Sequence, residues 1–217
     1  MKTFDIGVDL DGVGYNLQST LAPYARKHGY PLATEQTWNH IDPETGRHGG
    51  FSSWGIKDYD EFLSLCSKAV NDGVLYSTGC PFPGFLSMMR GLAGDGHRIH
   101  IITSRTSDPS SLTARATRSW LGEWAVPHQT LTFSADKTQT HTDFFIEDSV
   151  HNYAKLAEHG MTVPYLVSRS WNLWFEAENR VTDLVGFADV VHKKAHPEVQ
   201  AKCGAEEMVF LEPARAW

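Results

Sequence analysis

Long hydrophobic runs are missing from this sequence: no apolar stretch approaches the roughly 20 residues that a membrane-spanning helix requires. Cysteine is scarce, with three residues, Cys66, Cys80 and Cys203. They lie far apart, form no Cys-x-x-Cys pattern and are odd in number, so they read as reduced thiols without a bound metal. Positive charge is also in deficit: 19 Lys and Arg stand against 26 Asp and Glu, a formal net charge of −7. That balance argues against a broad surface for the phosphate backbone of extended nucleic acid, although a local cation or metal can still draw a small anion. There is no Gly-x-x-x-x-Gly-Lys-Ser/Thr loop and no Gly-x-Ser-x-Gly elbow, which disfavours a P-loop kinase and a serine hydrolase of the elbow type. Neither internal repeats nor low-complexity tracts occur. The N-terminal Met1-Lys2-Thr3-Phe4-Asp5 runs almost directly into a strand-like segment without the apolar region of a secretory signal, so the expected location is the cytoplasm.

What is present is a globular composition, 217 residues with 41% hydrophobic and 21% charged, enough for one ordinary domain with a buried core. Five short runs read as buried strands: Thr3 to Val8, Arg98 to Thr103, Thr130 to Phe133, Asp143 to Ile146 and Val163 to Val167. Helical patterns fall at Phe85–Leu92, Ser110–Trp120 and Asn152–His159, the last stopped by Gly160, with another at Val181–Lys194. This alternation predicts an α/β fold, a Rossmann-like parallel sheet with helices on both faces. Functional residues should then sit beyond the carboxyl ends of the first, second and fourth strands.

The first crossover is too long. About seventy residues separate Asp11 from Pro83, far more than one crossover helix needs. Leu17, Leu21, Tyr24 and Ala25 share one helical face, and Phe62, Leu65, Cys66, Ala69 and Val70 another. Asp58 and Glu61 have capping-box spacing ahead of the second helix. The organisation expected is a core of residues 1–13 and 84–195, a small, mainly helical cap at 14–83 inserted after the first strand, and a C-terminal tail at 196–217.

Four motifs carry chemistry. Asp9-Leu10-Asp11-Gly12-Val13 ends the first strand, and Gly12 permits a turn that brings both carboxylates to one site. Ile101-Ile102-Thr103-Ser104-Arg105 is an apolar strand stopping in hydroxyl residues, which together with free backbone N–H groups can bind phosphate oxygens or cap a helix. Lys137 follows the third strand and could neutralise a phosphate as a point charge. Phe144-Phe145-Ile146-Glu147-Asp148-Ser149 ends a fully apolar strand in two adjacent acids, whose repulsion a hard cation would relieve. His192 and His196 lie four apart, but Pro197 and the lack of a Glu partner make them a solvated helix end rather than a zinc site. In the cap, Trp38, Phe51, Trp54 and Tyr76 offer flat rings that could stack on a base; Phe51 and Trp54 are the candidate base contacts.

This ordered set resembles the haloacid dehalogenase-like superfamily over about Phe4 to Asn172, and within it the 5′(3′)-deoxyribonucleotidase family. Pro81-Phe82-Pro83-Gly84, Thr103-Ser104 and the late Trp171-Asn172 carry the narrower likeness. The resemblance implies a magnesium-dependent phosphatase that hydrolyses deoxynucleoside or nucleoside 5′-monophosphates to nucleoside and phosphate. It makes Asp9 the nucleophile, Asp11 the general acid and base, Thr103, Ser104 and Lys137 the phosphate holders, and Asp9, the Asp11 carbonyl and Asp148 the Mg²⁺ ligands. Relatives often have two aspartates in the fourth motif; here Glu147 takes the first place, and its longer side chain is expected to reach the metal only through water. Arg105 is expected in a surface salt bridge, with substrate contact left open. Also left open are a phosphatase for nucleic-acid 3′-phosphates or sugar phosphates, a non-catalytic phospholigand-binding protein, and homo-oligomerisation.

Overall fold

The structure is a computed structural model that describes residues 2–42 and 48–197. Its centre is a six-stranded sheet in which every pairing is parallel. The strands are β1 (Asp5–Val8), β2 (Arg98–Thr103), β3 (Thr130–Phe133), β4 (Phe144–Glu147), β5 (Val163–Val167) and β6 (Arg180–Val181), in the order β3-β2-β1-β4-β5-β6. Five of these are the runs that periodicity predicts. The sixth has two residues, Arg180 and Val181, too few for a pattern, and it exists because Leu166 and Val167 of β5 offer a free edge.

The helices outside the first crossover follow from caps and apolar faces. They are α4 (Phe85–Gly94), α5 (Leu112–Glu123), α6 (Val150–His159) and α7 (Leu184–Ala195). Ser111 caps α5 by accepting from the Ala114 N–H, and Gly160 closes α6 in the left-handed conformation at φ 72°. α7 begins three residues later than the sequence pattern suggests, since Asp183 is its N-cap and β6 occupies the residues before it.

Between β1 and α4 lie α1 (Leu17–Lys27), the four-residue α2 (Glu35–Trp38), a 3₁₀ turn at Gly50–Trp54 and α3 (Tyr59–Asn71). Asp58 caps α3 as its spacing predicts, accepting from the Glu61 N–H at 2.9 Å. The reciprocal half of the box is missing: the Glu61 carboxylate takes the Lys57 N–H and the Tyr30 hydroxyl instead. The chain leaves and rejoins the sheet side by side, with Tyr15 bridging Pro81 and the Phe82 N–H donating to the Gly14 carbonyl. Buried residues of this insert, Trp54, Ile56, Leu65 and Val70, belong to the same apolar cluster as Ile6, Val8 and Phe85. The tail expected from 196 onward lies outside the described residues after Pro197.

Strand order places the site. β1 is flanked by β2 on one side and β4 on the other, so the connections reverse direction at β1 and leave a crevice at its carboxyl end. Val8 pairs with Ile146 in register, which sets the residues just beyond, Asp9 and Glu147, next to each other.

Candidate active site

Asp9 stands at the exit of β1, almost fully buried, with its N–H donating to the Ile146 carbonyl at 3.2 Å. Lys137 reaches it from the 3₁₀ turn after β3: Nζ donates to Asp9 Oδ1 at 2.6 Å and also to the Ile102 carbonyl. Both side chains are nearly inaccessible to water, 2% exposed for Lys137 and 8% for Asp9. Burial raises the Asp9 carboxyl above its usual range, an effect that Lys137 opposes and Asp11 reinforces. Thr103, the last residue of β2, is buried with a hydroxyl that has no partner among the described residues. An orphaned buried hydroxyl calls for an acceptor. Ser104 follows it, exposed, on the rim of the same recess.

Carboxylate oxygens of Asp9, Glu147 and Asp148 lie within 4.8 Å of one another, and all three side chains are buried. Burial, then the charges of its neighbours, pushes Glu147 well above the carboxylate range; burial and Asp9 carry Asp148 up to about 7. Glu147 Oε1 accepts from the backbone N–H groups of Asp148 and Ser149, and Oε2 from Asn152. Asp148 Oδ2 accepts from the Trp171 indole at 2.8 Å, and the Asp148 carbonyl from Asn172. Gly12, at φ 84°, lies so close that a Cβ there would stand 2.1 Å from Asp148 Oδ2; only glycine lets the first motif approach the fourth. Crowded, desolvated oxygen donors of one sign suit a hard divalent cation, so the residues fit such a metal.

Asp11 points elsewhere. Both of its oxygens are held by Arg105, Nε to Oδ2 at 2.8 Å and Nη2 to Oδ1 at 2.9 Å. The expected surface salt bridge is therefore a buried one: the Arg105 side chain is 0% exposed. Its guanidinium packs against the adjoining rings of Tyr15 and Tyr76, 4.6 and 4.1 Å from their centroids, and Nη1 reaches Thr117. Burial alone would lower the Arg105 pKa, but the Asp11 charge and hydrogen bonds outweigh it and raise it. Nothing near Arg105 in sequence forecast this, because Tyr15, Tyr76 and Thr117 come from three different segments.

Two recesses open onto these residues. The smaller, about 320 Å³, is lined by Asp9, Asp11, Thr103, Ser104, Arg105, Glu147 and Asp148. The larger, about 810 Å³, runs from Asp11, Gly12 and Asp148 outward between Trp38, Phe51, Tyr59, Phe62 and Trp171. Phe51 thus faces the cleft, stacked on Phe62 with centroids 5.2 Å apart and planes at 19°. Trp54 does not. It is 1% exposed, packs edge-on to Trp38 and gives its indole N–H to the Thr34 carbonyl, so it belongs to the core of the insert. Tyr76 is occupied by Arg105. Phe62, which periodicity assigned to an apolar helix face, Trp171, which entered only through the family likeness, and Tyr59 are aromatic cleft residues that sequence reasoning did not single out as contacts.

Known proteins share this fold. The fold is that of the haloacid dehalogenase-like proteins. L-2-haloacid dehalogenase from Xanthobacter autotrophicus matches with a TM-score of 0.57 at 10% identity, over 88% of this chain and 99% of that one. A haloacid dehalogenase-like family hydrolase from Streptococcus pneumoniae matches with a TM-score of 0.52 at 13% identity, over 87% and 98%. Residues 2–196 match the family model described as 5′ nucleotidase, deoxy (pyrimidine), cytosolic type C protein. A Chlorobaculum tepidum protein named for 5′(3′)-deoxyribonucleotidase activity is 35% identical over 160 residues, 72% of this chain and 75% of that one. The chain belongs to this 5′-nucleotidase family, whose members are phosphoric monoester hydrolases. Among the described residues no helix is long and apolar enough to cross a membrane.

Proposed function

We propose that the protein hydrolyses deoxynucleoside and nucleoside 5′-monophosphates to nucleoside and inorganic phosphate, with Mg²⁺ as cofactor and a covalent aspartyl-phosphate between two displacements. The observation that carries this reading is the buried Asp9–Lys137 pair, with Asp9 in the acidic cluster and lining a recess that shares Asp11 and Asp148 with the aromatic cleft. In the first displacement a carboxylate oxygen of Asp9 forms a bond to phosphorus and the bond to the nucleoside 5′-oxygen breaks, with Asp11, once one of its oxygens leaves Arg105, delivering the proton that the 5′-oxygen needs. In the second, water attacks phosphorus, its proton passes to Asp11, and the Asp9–phosphorus bond breaks. Lys137, the Thr103 hydroxyl and the Ser104 backbone hold the phosphoryl oxygens as charge spreads over them. Mg²⁺ held by Asp9, Asp148 and the Asp11 carbonyl supplies charge neutralisation and orientation of the phosphoryl group.

Residues 14–83 act in this reading as a cap that selects the leaving group. The cleft offers flat rings beside the phosphate recess, which suits a planar base better than a bare sugar. An exposed Cys80 and a buried, unpaired Cys66 agree with a reducing, cytoplasmic setting, as does the word cytosolic in the family description. A phosphate-release screen over nucleoside monophosphates, sugar phosphates and 3′-phosphorylated oligonucleotides tests the assignment. Nucleoside 5′-monophosphates should give the highest kcat/KM; a preference for either other group would overturn the nucleotidase reading and leave a phosphatase.

A further inference from the structure

Trp171 belongs to two environments at once. Its indole Nε1–H donates to Asp148 Oδ2 at 2.8 Å, within the acidic cluster. The same side chain lines the aromatic cleft with Phe51, Tyr59 and Phe62, and meets His48 across it, ring centroids 5.8 Å apart at 63°.

The chain around it is built to hold that placement. Trp171 lies in a 3₁₀ turn, Ser170–Asn172, whose last residue is fully buried. The Asn172 side-chain amide donates to the carbonyls of Asp148 and Val167, both at 2.8 Å, while its oxygen accepts from the Arg169 N–H and from Arg180. Asp148 and the turn that carries Trp171 are therefore tied backbone to side chain before the indole contributes. A carboxylate is otherwise free to turn about its last torsion; a charge-assisted bond to one oxygen stops that rotation and leaves the second oxygen directed by the first. An indole needed only as a cleft wall could leave its N–H to solvent, since Trp171 is half-buried.

We propose that Trp171 is a positioning residue for the divalent cation: its indole N–H locks the torsion of Asp148 and so sets the oxygen that binds the metal. This rests on the proposed role of the acidic cluster as the Mg²⁺ site. Outer partners of this kind typically govern metal affinity by about 10- to 100-fold.

The test uses the full chain and reads metal binding directly, by Mn²⁺ titration followed by electron paramagnetic resonance without substrate. Trp171→Phe keeps an aromatic wall and removes the N–H; it should weaken Mn²⁺ binding by about tenfold or more. Melting of the chelator-treated variant should stay close to the parent, which separates lost metal binding from a lost fold. Trp174→Phe, which removes the neighbouring indole N–H that serves the Trp171 carbonyl, should bind Mn²⁺ as the parent does. Trp171→Leu gives the same comparison for metal affinity if phenylalanine cannot be accommodated. Unaltered Mn²⁺ affinity in a folded Trp171→Phe or Trp171→Leu protein would overturn the inference. Equal Mn²⁺ binding by the parent and by Asp148→Asn would overturn the metal assignment itself, and the inference with it.

Discussion

Lys137 Nζ lies 2.6 Å from Asp9 Oδ1, and water reaches neither side chain to any extent. An ammonium so placed opposes, without cancelling, the desolvation that favours protonation of the buried carboxylate. Asp9→Asn should therefore leave the fold intact, because the amide keeps the shape, while kcat falls on the order of 10⁴-fold or more with loss of the attacking oxygen. Acid-quench trapping of labelled phosphate on the protein checks the cause: label should appear with the parent enzyme and be absent from the variant.

The acidic cluster predicts how stability depends on pH. A carboxyl whose folded pKa is raised binds its proton more tightly in the native state, so the stability it contributes is present at low pH and lost as pH rises. For Asp148 the window runs from its ordinary 3.8 to about 7, and Glu147 is raised in the same sense. Asp5 and Asp136, lowered to about 2 by Arg98 and Lys155, act in the opposite direction and only below that window. In chelator the melting temperature should fall between about pH 4 and pH 7, and added Mg²⁺ should remove most of the fall. Identical profiles with and without Mg²⁺ would mean that the cluster is not a metal site.

Removing one side of the Asp11–Arg105 pair should be asymmetric. Arg105 is 0% exposed and Asp11 29%, so Asp11→Ala strands a fully buried cation and should cost about 3–5 kcal/mol in urea unfolding. Arg105→Met keeps contact with Tyr15 and Tyr76 and leaves an acid that water can partly solvate, so it should cost less than Asp11→Ala. The reverse ranking would show that the pair is not buried as described.

Substrate selection should divide the two aromatic residues named from the sequence. Phe51→Ala and Phe62→Ala should raise KM for nucleotides by roughly 5- to 150-fold, the equivalent of about 1–3 kcal/mol of base stacking, with little change for a small phosphate ester. Trp54→Ala should instead destabilise the protein by about 3–5 kcal/mol through a cavity in the insert and affect both substrates alike. Parallel kinetics on a nucleotide and on p-nitrophenyl phosphate, with urea melts, separate the outcomes.

Much of the frame was legible because its signals are local. Four strands appear as runs of mostly buried residues, while β3, also expected to be buried, is an edge strand with no buried residue; α3 and α6 announce themselves through Asp58 and Gly160, and a gap of about seventy residues cannot be a simple crossover. Asp9, Thr103 and Glu147-Asp148 stand at strand ends, where parallel α/β sheets gather their ligands. β6 escaped notice since two residues hold no period, and the Glu61 side chain left its predicted capping partner for Lys57 and Tyr30, a competition no spacing rule contains.

The sequence by itself determined five of the six strands, the order of their polar ends and the residues placed there, since backbone propensity and apolar runs are properties of neighbouring residues. Only the tertiary structure decided what those side chains meet. Arg105 passed from surface to interior because Tyr15 and Tyr76, remote from it in the chain, pack their adjoining rings against its guanidinium. Trp54 and Phe51, three residues apart, parted into core and cleft according to whether Trp38 and the Thr34 carbonyl or Phe62 lay opposite. Trp171 reached Asp148 across 23 positions through an anchored turn. Burial and pairing depend on contacts between segments far apart in the chain, and composition and periodicity carry no record of those distances.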